Sequence, residues 1–200
     1  MPALIDAVAP ISYSPAGGEL HRQLRGYKDH PAMVAREAFA DGLADVLGRF
    51  LGEHEACVAR AAGVEGAFGL LTTVPSRRPA GRVTGALVDL VGRRCSATAG
   101  RHDVVLQATG EGAPHRWCAS RFRARASLAQ CDVLLVDDTW TSGASAQGAA
   151  LALKRAGARR VALVVIGRHL DDPAAARAVA LGAVPPLDWA GCAWHVGQRC

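Results

Sequence analysis

The middle of this 200-residue chain contains an apolar run that leads directly into two adjacent acids. Residues 133–136 (VLLV) are uniformly aliphatic, Asp137 and Asp138 follow, and a hydroxyl-rich turn with one glycine occupies 139–145. A short aliphatic run of this kind is typical of an interior strand in a parallel sheet. Open α/β sheets bind their ligands outside the carboxyl ends of such strands, which is where these acids are predicted to lie.

A helix and a second strand are predicted after this turn. Residues 145–156 are rich in helix formers, and Gly157 suits the position that ends a helix. Residues 161–166 (VALVVI) form another aliphatic run. The order of elements predicts a β-loop-α-β unit. The alternation of strands with helices along the chain predicts an α/β fold with a mostly parallel central sheet flanked by helices.

The turn has the chemistry of a binding site for a sugar phosphate. Ionised Asp137 and Asp138 are acceptors only, so they suit the two hydroxyls of a ribose, directly or through Mg²⁺ and water. Gly143 permits close backbone approach, and the start of the following helix favours a phosphate dianion. The hydroxyl donors are Thr141, Ser142 and Ser145. The alternative is an acidic strand end followed by an ordinary helix that Ser142 or Ser145 caps.

This pattern resembles the loop that binds phosphoribosyl pyrophosphate (PRPP) in type I phosphoribosyltransferases. That loop has an apolar strand, two acids, two variable residues and then Thr/Ser-Thr/Ser-Gly-x-Thr/Ser, and every defined position is matched here. The resemblance implies that Asp137 and Asp138 contact the ribose hydroxyls and act in catalysis. It implies that the 5-phosphate is held by Thr141, Ser142, Gly143, Ala144 and Ser145. The implied fold is a single domain over residues 1–200 with a small hood.

Three weaker matches resemble the ComF-like (competence protein F) branch of that family. They are Tyr13 with residues 19–30, Val-Pro-Ser-Arg-Arg at 74–78, and Arg-Phe-Arg at 121–123. The resemblance implies that a pyrophosphate loop is formed by Pro75, Ser76, Arg77 and Arg78. The small Cys-rich zinc module with which ComF proteins commonly begin is not matched near Met1.

Three basic residues receive roles from these matches, and each has a simpler alternative. Arg77 is expected to act in catalysis beside the pyrophosphate, and Arg121 to lie in a loop that closes over it. Lys28 is a weaker candidate in the segment 1–30, which the resemblance places in the hood or at the edge of the cleft. The alternative for all three is a solvated surface position.

The expected function is transfer of a phosphoribosyl group from PRPP to an unidentified acceptor, with a nitrogen nucleophile and release of pyrophosphate. The expected cofactor is Mg²⁺, bound through PRPP rather than by a protein-only site, and a homodimer is compatible with this function. Thr141 stands where purine base transferases of this fold often have an acid, so a purine-salvage mechanism using that acid is not expected. The alternative functions are a non-catalytic PRPP-sensing or adaptor protein in DNA uptake, repair or regulation, and an α/β protein that does not bind PRPP.

Charge adds little to this choice. The net charge of +5 and the pI near 9.1 favour polyanions, whether PRPP, pyrophosphate or nucleic acid. The lysines are Lys28 and Lys154, and the other basic residues are arginines in a chain rich in Ala and Gly. Because this composition partly reflects a GC-rich coding bias and no basic patch is interleaved with aromatic residues, a nucleic-acid partner is not supported beyond the charge.

Compartment and redox state follow from what the sequence contains. The apolar runs are too short to cross a bilayer and the first residues lack signal-peptide character, so no membrane partner and a cytoplasmic location are expected. The six cysteines show no regular framework and are expected to be reduced. Cys192, His195 and Cys200 could ligate zinc, but a fourth ligand at suitable spacing is absent.

The remaining elements are predicted from periodicity and breakers. The predictions are a loop-like start, one long helix or two over 31–51, a short helix or loop over 52–67, a strand over 70–74, a helix face over 83–91, a short strand at 104–106, a mobile loop over 108–126 and a helix from Asp172-Pro173 to Leu181.

Overall fold

The computed structural model describes residues 4–76, 85–113, 116–172 and 177 of the chain. Within these ranges the strands are β1 (Ala7–Pro15), β2 (Leu70–Thr73), β3 (Leu106–Ala108), β4 (Phe122–Ala124), β5 (Asp132–Trp140) and β6 (Arg160–Leu170). The helices are α1 (Glu19–Asp29), α2 (Met33–Ala61), α3 (Ala86–Asp89) and α4 (Ala144–Arg155). A π-helical turn, Leu90–Arg94, follows α3 directly.

Four strands form one parallel sheet in the order β1-β6-β5-β2. The aliphatic residues 133–136 of β5 and 161–166 of β6 are all 0% exposed, because both faces of the sheet are covered. The predicted α/β class and the predicted β-loop-α-β unit are therefore confirmed. Both strands are longer than their aliphatic runs, since parallel pairing continues as far as Trp140 opposite Arg168.

Helices cover both faces of this sheet. On one face, α1, α2 and the π-helical turn surround Leu134, Val136 and Val164. On the other face, α4 and the β3–β4 pair surround Leu135 and Leu163. Successive side chains of β5 therefore enter different cores, as the two-residue period of a strand requires.

The β3–β4 pair is a separate antiparallel ribbon. Phe122 of β4 is buried and packs beside Gly148 of α4, where an added Cβ would lie 3.4 Å from the Phe122 ring. The strand predicted at 104–106 is shifted to Leu106–Ala108, and the segment predicted as a mobile loop contains β4. The prediction failed there because β4 has only three residues. Its one apolar aromatic residue, Phe122, gives too weak a strand signal among the surrounding Gly and Arg residues.

The predicted loop-like start of the chain is wrong. Ala7–Pro15 is the edge strand β1, which pairs with β6 from Ala7 opposite Ala162 to Pro15 opposite Leu170. Proline is tolerated on an edge strand, where its missing N–H can face away from the ladder, so Pro10 did not break the strand. The segment 1–30 thus contributes to the main sheet and its covering helix, and Lys28 reaches the cleft edge.

The next part of the chain is one continuous helix rather than two. α2 passes through Gly52 and ends at Ala61, so the alternatives of a separate short helix or a loop are wrong for 52–61, while 62–67 is a loop. Beyond it, β2 closely matches the strand predicted over 70–74. Leu87, Leu90 and Val91 are buried, as the predicted helix face requires.

The cysteines are not all reduced. Cys57 is disulfide-bonded, whereas Cys95, Cys118 and Cys131 are free thiols. The prediction of reduced cysteines is therefore wrong for Cys57, because spacing along the sequence does not show which cysteines the fold brings together.

None of the helices within the described ranges has both the length and the apolar character that crossing a bilayer needs. Four sets of predicted residues lie outside the described residues: Arg77 with Arg78, the helix 173–181 apart from Arg177, Cys192 with His195, and Cys200.

The packing of α1 on β6 gives a testable prediction. A Cβ on Gly167 would lie 2.5 Å from Leu24 Cδ1 and 3.2 Å from Ser14 Cβ, and both neighbours are buried. We expect Gly167→Val to lower the free energy of unfolding by about 1–3 kcal/mol, because the added side chain overpacks this contact. Urea denaturation measures the change. The control is Gly52→Ala at an exposed helical position with no atom within 4 Å, which should raise stability by about 1 kcal/mol.

Candidate functional site: a cleft at the carboxyl edge of the sheet

A cleft of about 960 Å³ opens at the carboxyl ends of β2 and β5. The chain leaves these two strands in opposite directions. β5 leads through α4 to β6, whereas β2 has His102 as its neighbour on the other side, in a parallel bridge with Leu71. A point where neighbouring strands connect in opposite directions is where open α/β sheets form ligand crevices.

The cleft brings together most of the site residues that the sequence predicts. Those lining it are Lys28, Pro75, Ser76, Asp137, Asp138, Thr141, Ser142, Gly143, Ala144 and Ser145. Two predicted residues, Arg77 and Arg78, lie outside the described residues, although Ser76 immediately before them is at the cleft wall. Arg121 does not line the cleft.

Asp138 is held by two side chains of α1. The Tyr27 hydroxyl donates a hydrogen bond to Asp138 Oδ2, and the Lys28 ammonium forms an ion pair with the same oxygen. The Asp138 side chain is 7% exposed and that of Lys28 is 25% exposed. Sequence reasoning did not single out Tyr27, although it lies next to Lys28 in the family-like segment. Its contact partner is 111 residues away, so no local signal reveals the pair.

Asp137 lies on the other side of β5. Because β5 continues as a strand to Trp140, the two acids alternate across the sheet instead of pointing together from a turn. The backbone N–H of Asp138 donates to Asp137 Oδ1 at 3.0 Å. Burial, and then the neighbouring Asp138 carboxylate, raise the pKa of Asp137 to about 8, against smaller opposing effects of Lys28 and the Asp138 N–H. Such a perturbed carboxyl group in a cleft is a mark of functional sites.

The turn after β5 contains a glycine in the left-handed conformation. Gly143 has φ of 74°, and its carbonyl accepts from the Gln147 N–H at 2.9 Å in the first turn of α4. The Trp140 ring packs against Gly143, so that an added Cβ would lie 2.6 Å from Cζ2. The Ala144 N–H donates to Ser142 Oγ at 3.4 Å, a long contact that makes Ser142 at most a weak cap.

The ribbon forms the wall of the cleft opposite this turn. Ala108, Thr109, Gly110 and Gly112 line it. Thr109 Oγ1 donates to Ser120 O at 2.7 Å, which ties the two ends of the loop between β3 and β4 together. The loop is therefore internally braced at its base and presents its glycine backbone to the cleft.

Arg121 braces that loop from behind. Its guanidinium is 0% exposed, and Nη2 donates to the carbonyls of Ala113 and Arg116. Nε and Nη1 have no hydrogen-bond partner among the described residues. Arg121 therefore does not line the cleft in this structure, and its expected place in a loop that closes over the pyrophosphate stays a prediction.

The donor set of the cleft suits a magnesium ion that arrives with a phosphate ligand. Among the described residues that line it, the acidic side chains are Asp137 and Asp138. Within the described residues, no group of three or more His, Cys, Asp or Glu side chains is arranged to hold a metal. Mg²⁺ is usually bound by one or two carboxylates together with substrate phosphates, and these two acids match that pattern.

The chain matches no protein-family model, and no curated protein matches it.

The titration of Asp137 gives a second testable prediction. The ordinary pKa of an aspartate is 3.8, whereas Asp137 keeps its proton in the folded state up to about pH 8, so the folded state binds more protons between these values. Stability is then lost as the pH rises through this window. We expect Asp137→Asn, which removes this loss, to become steadily more stable than the wild type from pH 5 to pH 8. Urea denaturation across this range measures it. A difference that does not change with pH would contradict the raised pKa.

Gly143 gives a third testable prediction. Gly143→Ala should cost about 1–3 kcal/mol of unfolding free energy, because a side chain is strained at positive φ and also meets Trp140. Gly66→Ala is the matched control, since Gly66 has φ of 86° and no atom within 4 Å of an added Cβ. Thermal or urea denaturation should therefore show a larger loss for Gly143→Ala. Equal losses would mean that the Trp140 contact contributes nothing.

Proposed function

We propose that this chain binds PRPP in the cleft and is a phosphoribosyltransferase with a type I, ComF-like fold. The observation that carries the proposal is the convergence of two acids, a glycine in the left-handed conformation and a hydroxyl-bearing helix start on one cleft. These groups come from 137–145, a segment in which every defined position of the PRPP loop is matched. The parallel sheet and the ribbon beside the cleft are compatible with the core and hood of that fold.

Each part of PRPP has a chemically suitable partner. The hydroxyls of Thr141 and Ser145 and the first N–H groups of α4 favour the 5-phosphate, with the helix dipole adding to the attraction. Asp137 and Asp138 accept hydrogen bonds from the ribose hydroxyls. Pro75 and Ser76, at the end of β2, lie where the diphosphate is expected.

The reaction breaks the bond between the anomeric carbon and the diphosphate, and the acceptor nitrogen forms the new bond. The transition state has oxocarbenium character, so it requires charge compensation and exclusion of water more than a protein nucleophile. The Asp138 carboxylate, together with that of Asp137 once Asp137 has lost its proton, stabilises positive charge that develops on the sugar ring. Lys28 is the cation that lines the described part of the cleft, and it can compensate charge on the leaving diphosphate. Bound Mg²⁺ would supply further charge neutralisation to the diphosphate.

One observation favours the second candidate, a non-catalytic PRPP-sensing or adaptor protein. Arg121 turns away from the cleft and its Nη2 donates to loop carbonyls, so this residue gives the diphosphate no cation in the observed arrangement. PRPP binding is common to both candidates. Release of pyrophosphate in the presence of an acceptor belongs to the enzyme alone.

Calorimetric titration with PRPP and Mg²⁺ tests the proposal. We expect saturable binding to the wild type and a loss of about 100-fold or more in affinity for Asp137→Asn/Asp138→Asn, because the hydrogen bonds of two acids to the ribose are lost, one of them to a charged carboxylate. Asp45→Asn/Asp103→Asn is the matched control, since both residues are exposed and neither lines the cleft. Absence of wild-type binding, or an equal loss in the control, would contradict PRPP binding. A screen of nitrogen acceptors for pyrophosphate release then separates the enzyme from the sensor.

A further inference from the structure

Lys28 occupies an unusual position for a lysine. Its ammonium lies at a buried carboxylate, yet its side chain also lines the cleft and retains 25% exposure. The aliphatic stem reaches past Tyr27, with Nζ 5.2 Å from the Tyr27 ring centroid. Asp138, by contrast, is held by Tyr27 as well as by Lys28. The carboxylate would therefore keep a hydrogen-bond donor if the ammonium moved away.

Charges around this pair conflict with the ligand that the cleft is proposed to take. The groups that contact the Asp138 carboxylate are Tyr27 and Lys28 on α1, and Asp137 is its neighbour along β5, close enough for the two acids to interact electrostatically. A divalent cation approaching the two acids is repelled by an ammonium that already contacts one of them. A diphosphate entering the same cleft attracts that ammonium. Both parts of a magnesium diphosphate ligand thus act to draw Lys28 away from Asp138.

We propose that Lys28 is an exchangeable counterion, which neutralises Asp138 in the arrangement seen here and transfers to the diphosphate when a magnesium-bound sugar diphosphate enters the cleft. This inference rests on the proposed function. It adds the means by which the cleft distinguishes a sugar diphosphate from a sugar monophosphate. The lysine that is released from Asp138 gains a partner only when a diphosphate is present.

If Lys28 exchanges partners, one substitution should raise the affinity for a divalent cation and lower the affinity for PRPP. Lys28→Gln should bind Mn²⁺, a paramagnetic probe of magnesium sites, about 3-fold to 10-fold more tightly, because the competing charge is gone. The same variant should bind PRPP with Mg²⁺ about 10-fold more weakly, because a charged contact to the diphosphate is lost. Its affinity for ribose 5-phosphate should stay within about 2-fold of the wild type. Electron paramagnetic resonance measures the affinity for Mn²⁺, and calorimetry measures the affinities for PRPP and ribose 5-phosphate.

Two further variants separate exchange from a merely structural role. Tyr27→Phe removes a hydrogen bond to the same carboxylate but no charge, so Mn²⁺ affinity should remain near that of the wild type. Lys28→Arg keeps the charge and should restore most of the affinity for PRPP. A structural role predicts instead that Lys28→Gln weakens all three ligands together, and that result would overturn the exchange.

A measurement on the wild-type sequence avoids any dependence on how the variants fold. The chain has two lysines, Lys28 and Lys154, and Lys154 is paired with Asp6 at 2.7 Å, outside the cleft lining. Reductive methylation with a ¹³C label keeps both charges and gives each lysine its own signal. Adding PRPP and Mg²⁺ should shift the Lys28 signal and leave that of Lys154 in place. An unchanged Lys28 signal at saturation would overturn the transfer.

The two proposals fail in different ways. If the wild type binds neither PRPP nor ribose 5-phosphate, the proposed function fails and the transfer of Lys28 to a diphosphate fails with it. If PRPP binds normally but Lys28→Gln shows no gain in Mn²⁺ affinity, the counterion exchange fails and the proposed function stands.

Discussion

Two-sided burial of β5 is the constraint on which the architecture of the cleft depends. Its residues 133–136 are fully enclosed by α1 and α2 on one face and by α4 on the other, so a charged group is not tolerated there without a partner. The polar residues of β5 lie at its two ends, with Asp132 at the amino end paired to Arg159 and the two adjacent acids at the carboxyl end. Asp137 and Asp138 stand at that carboxyl end. Burial there is deep enough to raise the pKa of Asp137, while both acids still line the cleft.

The position of α1 determines which side chains contact Asp138. α1 approaches β6 closely because Gly167 leaves room for Leu24, and it approaches α2 closely because Gly26 leaves room for the Phe39 ring. These two contacts bring Tyr27 to Asp138. The N-terminal part of the chain, which pairs with β6 through β1, thereby supplies the hydroxyl and the ammonium that the acid needs. Packing remote from the cleft sets its electrostatics.

The sequence predicts those parts of the site that one continuous segment encodes. The acids, the left-handed glycine and the start of α4 all lie within 137–145, where strand, turn and helix signals follow one another without interruption. Contacts between residues that are distant in the sequence could not be predicted from it. Tyr27 meets Asp138 across 111 residues, and Arg121 is buried because the loop between β3 and β4 folds back over it. Periodicity records which face a residue occupies, but it does not record which element covers that face.

The cleft combines a carboxyl group with a raised pKa, a carboxylate and one ammonium within a partly buried space. Such an arrangement costs stability, since desolvated charges are recovered only in part by their mutual attraction. A purely structural role would be served better by apolar residues at Asp137 and Asp138, which continue an aliphatic strand. The two acids therefore fit the proposed function, in which a ligand brings positive charge and hydroxyl donors of its own. The proposed ligand, a sugar diphosphate with its magnesium ion, would provide both and would give Lys28 a new partner when it leaves Asp138.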